Sequence, residues 1–281
     1  MVLIASPANP RIRTLQRLHS TRGRRQNGLF LMEGLHLLQV LLDARLYPRE
    51  VYYEPGLMQR TAEGAQLLQR LLRSSSLLRN RLFEVSERVM EVLSDAQSSQ
   101  GVVCVLAHTD IAARDIRAHR AQDVARPALL VLDDLADPGN MGTILRTALA
   151  ADVAGVLLTG NCVDYLSPKV VRAAAGAHIA LPVEAELPWS TIEQRISEHC
   201  GAEPCVLLAE AGSSHLYYAQ DFTRPFVLII GNEAHGPSAE ARSLATLSVT
   251  IPLANHVESL NAAMASGIIL YEAMRQRRSQ G

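Results

Sequence analysis

The sequence contains no Gly-x-Gly and no Gly-Lys-Ser/Thr anywhere along its 281 residues. Their absence excludes the dinucleotide fingerprint, which needs closely spaced glycines beside the pyrophosphate, and the P-loop, whose lysine reaches the outer phosphates. Lysine itself is nearly missing: Lys169 is the only one, so arginine carries the basic charge. No run of about 18 apolar residues occurs, so no membrane span is expected. The four cysteines, Cys104, Cys162, Cys200 and Cys205, include no Cys-x-x-Cys pair. His199, Cys200 and Cys205 lack a second ligand cluster, so no metal is expected, and scattered free thiols fit a reducing cytoplasm.

What is present is a globular composition, 48% hydrophobic with net charge −1. The length suits one large domain or two ordinary ones. Charge is unevenly spread. Residues 1–30 hold Arg11, Arg13, Arg17, Arg22, Arg24 and Arg25 and no acid, a footprint suited to a polyanion. An organelle transit peptide or a merely solvated tail would show the same bias. We therefore delimit a basic arm over residues 1–28.

Residues 29–108 read as a compact α/β domain. "FLMEGLHLLQVLLDARL" has helical apolar spacing; "EVYYE", a leucine-rich helix near 62–73, "LFEV", another helix and "GVVCVLAH" follow. The polar stretch 109–126 reads as a linker. From 127 to 281, apolar runs at 128–134, 154–160, 204–210, 226–232 and 248–253 alternate with helices. These helices are expected at 141–152, 168–176, 190–199 and 238–245, with a long last one from about 259 to 277. Continuous apolar runs between helices predict a parallel sheet covered on both faces. In such sheets ligands bind outside the carboxyl ends of the strands.

Three loops at those ends carry polar chemistry. "DDLADPGNMG" makes a Pro-Gly turn, with Asn140 placed to cap the following helix. That helix bears a lone Arg146, whose neighbours at helical spacing are Gly142, Thr143, Leu149 and Ala150, so no acid on the helix pairs with it. "GNEAHGP" puts Gly231 at a strand end and Glu233 just beyond. "IPLANHVESLNAAM" ends in Ser259 and Asn261 at the start of the last helix. Taken singly, Asn140 and Ser259 read equally as caps, Glu233 as a solvated turn acid, and Arg146 as a side chain reaching water.

Together these segments resemble the SpoU/TrmH-type RNA ribose 2′-O-methyltransferases of the SPOUT superfamily. "LDDLADPGNMGTILRTALA" is similar to the family's first motif, "LIIGNEAHGP" to its second and "VTIPLANHVESLNAAMASGIILYEA" to its third. "SPKVVRAAAGA" (167–177) matches the region between the first two. The front half is similar to the family's N-terminal arm and a substrate-binding domain like ribosomal protein L30e. "ALAADVAG" lacks the Phe-Gly frequent after Arg-Thr-Ala, and Ala262, Ala263 and Met264 replace the Val-Ser-Val often following Ser-Leu-Asn.

The resemblance implies a SPOUT-type α/β parallel sheet with a C-terminal trefoil knot, preceded by a smaller L30e-like α/β domain. It implies methyl transfer from S-adenosylmethionine to a ribose 2′-hydroxyl of structured RNA, ribosomal RNA before tRNA. A non-catalytic RNA-binding ribosome-assembly protein of the same fold, and a base methyltransferase, are the rival readings. Carried over, the cofactor touches Leu208, Ala209, Glu210, Ile230, Gly231, Ile251, Leu260 and Ala262. Arg146 faces the reacting hydroxyl, while Asn140, Glu233, Ser259 and Asn261 orient ribose and phosphate. The family often assigns this arginine as general base. A guanidinium keeps its proton, with a pKa above about 12, so we expect Arg146 to stabilise the developing alkoxide.

RNA contacts are expected from Arg11, Arg13, Arg22, Arg24 and Arg25, and few aromatics (4%) favour a folded hairpin over stacked single strands. The resemblance also implies a homodimer. Leu260, Met264, Ile268 and Tyr271 share one stripe of the last helix, suited to a knot core or to a dimer face.

Overall fold

A computed structural model describes residues 3–74, 78, 80–112, 127–201 and 203–279. In chain order the elements are α1 (Pro10–Gln16), α2 (Thr21–Asn27), β1 (Leu29–Glu33), α3 (Leu35–Asp43), β2 (Glu50–Tyr53) and α4 (Pro55–Met58). Next come α5 (Ala62–Arg73), β3 (Leu82–Glu84), α6 (Glu87–Leu93), β4 (Val102–Ala107) and α7 (His108–Ala112). Then follow β5 (Ala128–Leu132), α8 (Pro138–Ala150), β6 (Gly155–Thr159), α9 (Pro168–Ala173), α10 (Ala177–Ala180) and β7 (Val183–Leu187). The chain ends with α11 (Trp189–Cys200), β8 (Cys205–Ala209), β9 (Phe226–Ile230), α12 (Ala239–Leu244), β10 (Leu247–Val249) and α13 (Ala262–Arg278). They form two compact units, residues 1–111 with 166–179, and 112–165 with 180–281.

The first unit is built on a four-stranded sheet in the order β1-β4-β2-β3. β4 runs antiparallel to both β1 and β2, and β2 pairs parallel with β3. One expectation fails here: Leu29–Glu33 is a strand, not the first turns of a helix. Phe30, Leu31 and Met32 are all buried, and Gly34 at φ 106 breaks the chain before α3 begins. Pairing along β4 overrides the helical spacing, as tertiary context commonly does for a short apolar run.

Nor is the basic segment an appendage. Ile12, Leu15 and Leu18 are buried against Val89, Met90, Leu93 and Val105, so residues 10–27 close one face of this sheet. Each such aliphatic burial is worth about 1.5–3 kcal/mol. The stretch 166–179, expected with the second α/β segment, also clusters here. Val170 and Val171 are buried, and Arg172 pairs with Asp95 at 2.7 Å. Most of the expected linker, 113–126, lies outside the described residues.

The second unit has six parallel strands in the order β10-β8-β9-β5-β6-β7. β5, β6 and β9 are buried along their whole length, which is why they read as unbroken apolar runs. β7 escaped the sequence reading because it is an edge strand. "VEAEL" alternates apolar residues with glutamates, and acids on an edge strand discourage pairing with another chain. The chain leaves β5 toward β6 and β7, then returns to the other side of β5 to lay down β8 and β9. This reversal between β5 and β9 is a topological switch point, and it opens the crevice where the site lies.

Candidate active site

The loop after β5 enters α8 through a cap that differs from expectation. Asp137 is the N-cap, accepting the Asn140 N–H at 2.7 Å, and Pro138 takes the first helical position. Proline suits that position because the N–H it lacks would have no helical partner. Asn140 is therefore relieved of capping and its amide is free to reach across the crevice. It donates through Nδ2 to Glu233 Oε1 at 2.8 Å and accepts at Oδ1 from Asn261 Nδ2 at 2.8 Å.

Asn261, not Ser259, caps α13, accepting from the Ala263 and Met264 N–H groups at 2.9 and 3.2 Å. Glu233 also accepts from the main-chain N–H groups of Ala136 and Asp137 at 3.3 and 3.4 Å. Three loops far apart in sequence are thus joined by one directional chain of bonds, from Asn261 through Asn140 to the Glu233 carboxylate. The negative charge at its end fixes which way both amides point.

The loop carrying Glu233 is itself held in shape by Asn232. Its Oδ1 accepts from the N–H groups of Ala234 and His235, and its main chain closes on Gly236. Its Nδ2 donates to the Asp134 carbonyl at 2.7 Å. Gly231 is required by close approach: a Cβ there would lie 2.5 Å from Pro237 N. Asp133, at the end of β5, accepts the Ser238 N–H at 2.7 Å. Its burial pushes its pKa up. Sequence reasoning passed over Asp133, Asn232 and Asp137. Only the acid pair "DD" and the asparagine after Gly231, a residue type that folds turns on itself, gave any signal.

Beneath these loops lies a cavity of about 460 Å³. Of the expected cofactor residues, Ala209, Glu210, Ile230, Gly231, Ile251, Leu260 and Ala262 line it, as do Glu233 and Ser259. Leu208 does not. Successive side chains of a strand point to opposite faces, and Leu208 is buried in the core with Val206, Val227 and Ile229. The volume is that of a small-molecule site. Val249, Ile251 and Leu253 offer apolar surface, and Ala209, Gly231 and Ala262 expose main chain. Glu210, held by Arg242 and by Ser248, stands with Glu233 and Glu258 on the lining. An apolar cleft with several carboxylates suits a ligand having a flat aromatic body and positive groups, which is the chemistry of S-adenosylmethionine.

Arg146 stands apart. It is exposed on α8, does not line the cavity, and has no hydrogen-bond or ion-pair partner among the described residues. Of the apolar stripe, Leu260, just before α13, is 38% exposed, Met264 and Tyr271 on the helix are 60% and 48% exposed, and Ile268 is half-buried.

The arm's arginines divide by role. Arg24 is buried, its Nη1 donating to the Leu18 and His19 carbonyls at 2.7 and 2.9 Å, so it cannot face a phosphate. This corrects the expectation for Arg24: a helical turn that folds back needed a fixed cation to satisfy its carbonyls. Arg11 lies 4.2 Å over the Phe83 ring and 3.7 Å from Glu50. Arg13, Arg17 and Arg22 are exposed and have no hydrogen-bond or ion-pair partner among the described residues, while Arg25 is exposed but engaged. Arg17 was not among the expected contacts.

Comparison with known proteins agrees with this geometry. The model of the SpoU rRNA methylase family matches residues 127–271, and that of the MRM3-like substrate binding domain matches residues 9–104. The chain is 36% identical to an uncharacterised tRNA/rRNA methyltransferase of Synechocystis over 98% of its own length and 94% of that protein. It is 38% identical to the 23S rRNA (uridine(2479)-2′-O)-methyltransferase of Streptomyces viridochromogenes, over 53% of this chain and 52% of that one. Among solved structures, the AdoMet-bound rRNA methyltransferase of Sinorhizobium meliloti superposes with a TM-score of 0.80 at 28% identity, covering 98% of this chain and 97% of that one.

Proposed function

The chain belongs to the SpoU rRNA methylase family, and from that premise we propose that its carboxyl-end cavity holds S-adenosylmethionine beside the ribose to be methylated. The protein is an S-adenosylmethionine-dependent RNA 2′-O-ribose methyltransferase acting on ribosomal RNA. The observation that carries the site assignment is the bonded chain Asn261–Asn140–Glu233, closing three loops over one cavity.

S-adenosylmethionine supplies a methyl on a sulfonium that needs no further activation. The remaining work falls to the protein. Glu233 and Glu258 offer negative charge to the cofactor's positive groups, Glu210 being paired with Arg242, and Ala209, Gly231 and Ala262 let main chain approach its flat base. A ribose hydroxyl is a poor nucleophile at neutral pH: as its oxygen takes the methyl, its proton passes to solvent water and S-adenosylhomocysteine is the leaving group, so the negative charge forming on the oxygen must be stabilised. Arg146 serves this role: a permanently protonated fork with no acid partner can meet an alkoxide or its neighbouring phosphate at full strength. The bonded chain positions Asn140 and Asn261 and keeps the crevice open to the ribose.

Arg146 lies off the cavity lining of its own chain, which supports a site completed by a second copy. The exposed apolar stripe of α13 is the face we assign to a homodimer. In the same reading, residues 250–261 and α13 form the trefoil knot. The exposed Arg13, Arg17, Arg22 and Arg25 grip the phosphates of a folded RNA.

The test is methyl transfer from labelled S-adenosylmethionine to ribosomal RNA and tRNA transcripts, with nuclease digestion and mass spectrometry. A label on ribose, lost when the target 2′-hydroxyl is replaced by hydrogen, supports the assignment. A label on a base, or cofactor binding without turnover on either RNA, refutes it. Turnover on tRNA alone transfers the substrate assignment.

A further inference from the structure

Asp133 follows β5 and is buried, yet it neither lines the cavity nor joins the chain of bonds to Glu233. Its Oδ2 accepts the Ser238 N–H at 2.7 Å, while Oδ1 has no hydrogen-bond partner among the described residues. The adjacent Asp134 accepts Asn232 Nδ2 on its carbonyl at 2.7 Å. Two consecutive residues at one strand end therefore hold both ends of the segment 232–238. The loop they secure contributes Gly231, Glu233, His235 and Pro237 to the cavity.

A buried carboxylate with one oxygen unpaired is a costly way to hold a loop. The charged groups facing it, Asp134 on its own strand end and Glu240 on α12, are both acids, so neither offsets its charge. What the charge contributes is a stronger bond to Ser238, since hydrogen bonds to an ionised acceptor are about twice as strong as neutral ones.

We propose that Asp133 is a positioning residue for the cofactor: its carboxylate, acting through Ser238, fixes the 231–238 loop in the form that receives S-adenosylmethionine. The inference rests on the cavity being the cofactor site. Protonating Asp133 leaves a weaker bond to Ser238, so cofactor affinity falls as pH is lowered through its titration. Burial places that titration above the ordinary carboxylate range. The sign for stability is opposite. A carboxyl whose folded pKa is raised costs stability once pH rises above the unfolded value, so removing the charge does not harm the fold at neutral pH.

The experiment is calorimetric titration of the full-length protein with S-adenosylmethionine across mildly acidic to neutral pH, for wild type, D133N and D133A, with melting curves alongside. At neutral pH, D133N is expected to bind about 3- to 10-fold more weakly, with no fall in melting temperature. Wild type is expected to lose more affinity on acidification than D133N; the difference between the two profiles cancels any titration common to both. D133A is expected to bind at least as weakly as D133N.

If D133N matches wild type in affinity and pH profile, the tether is refuted. It is also refuted if both variants lose affinity only in step with lost melting temperature, or if D133A binds like wild type. Wild type failing to bind S-adenosylmethionine at any pH overturns the cavity assignment instead, and the inference with it.

Discussion

Arg24 in the N-terminal helices and Arg146 at the start of the second unit carry the same guanidinium in opposite circumstances. Arg24 is sealed inside a helical turn, where Leu18 and His19 carbonyls and Thr21 Oγ1 take up its N–H groups. Arg146 is exposed, with no bond to anything described. The first unit spends arginine on architecture because residues 10–27 have few apolar side chains to fold around. The second has a parallel sheet whose central strands are fully buried and can hold a cation in reserve. A paired charge is a structural member, and an unpaired one at a site can act on a ligand.

The sharpest way to break this contrast is R146A. Methyl transfer in single turnover should fall about 10²- to 10³-fold, as when a donor to a developing oxyanion is removed. Melting temperature and cofactor affinity should stay put. R146K should recover only part of the loss across pH, because an ammonium lacks the planar fork. Full recovery would dismiss the fork, and intact turnover in R146A would dismiss the residue.

R24A tests the other half. Leaving two buried carbonyls without donors should cost about 2–4 kcal/mol of stability in urea unfolding. Cofactor affinity should be preserved under folding conditions. A neutral R24A would show that the turn does not depend on its cation.

E233Q comes next. The amide would place an N–H group among donors from Asn140, Ala136 and Asp137, and we expect about a tenfold drop in kcat with a smaller change in melting temperature. The smallest effect is expected for R13A/R17A. These exposed residues should leave the fold untouched while lowering the slope of log affinity for RNA against log salt by about 1–2. An unchanged slope would move the RNA grip elsewhere.

Legibility in the sequence followed the reach of each interaction. Unbroken apolar runs announced β5, β6 and β9, since burial on both faces leaves no polar alternation. The charged edge strand β7 lacked that signal because it is only partly buried, and Leu29–Glu33 carried the wrong one because its pairing partner β4 lies far along the chain. Glu233, Asn140 and Asn261 were visible as polar residues after strands. That Asp137 rather than Asn140 caps α8 was not, because both are good caps and only the bond to Glu233 separates them. That the Leu208 side chain packs into the core was not legible, because a strand's inward and outward faces depend on what covers the sheet.

By itself, the sequence determined the alternation of strands and helices, the three polar loops at the carboxyl ends, and an arginine with no local acid. Those properties depend on side-chain periodicity and on neighbours within a few positions. Tertiary structure alone decided which arginines are buried and which amide faces which carboxylate. It also decided that Asp133 and Asp134 hold both ends of one loop. Such contacts join residues about a hundred positions apart, as Asp133 and Ser238 are (|i−j| = 105), and only the closing of the sheet at its switch point brings them within hydrogen-bonding distance.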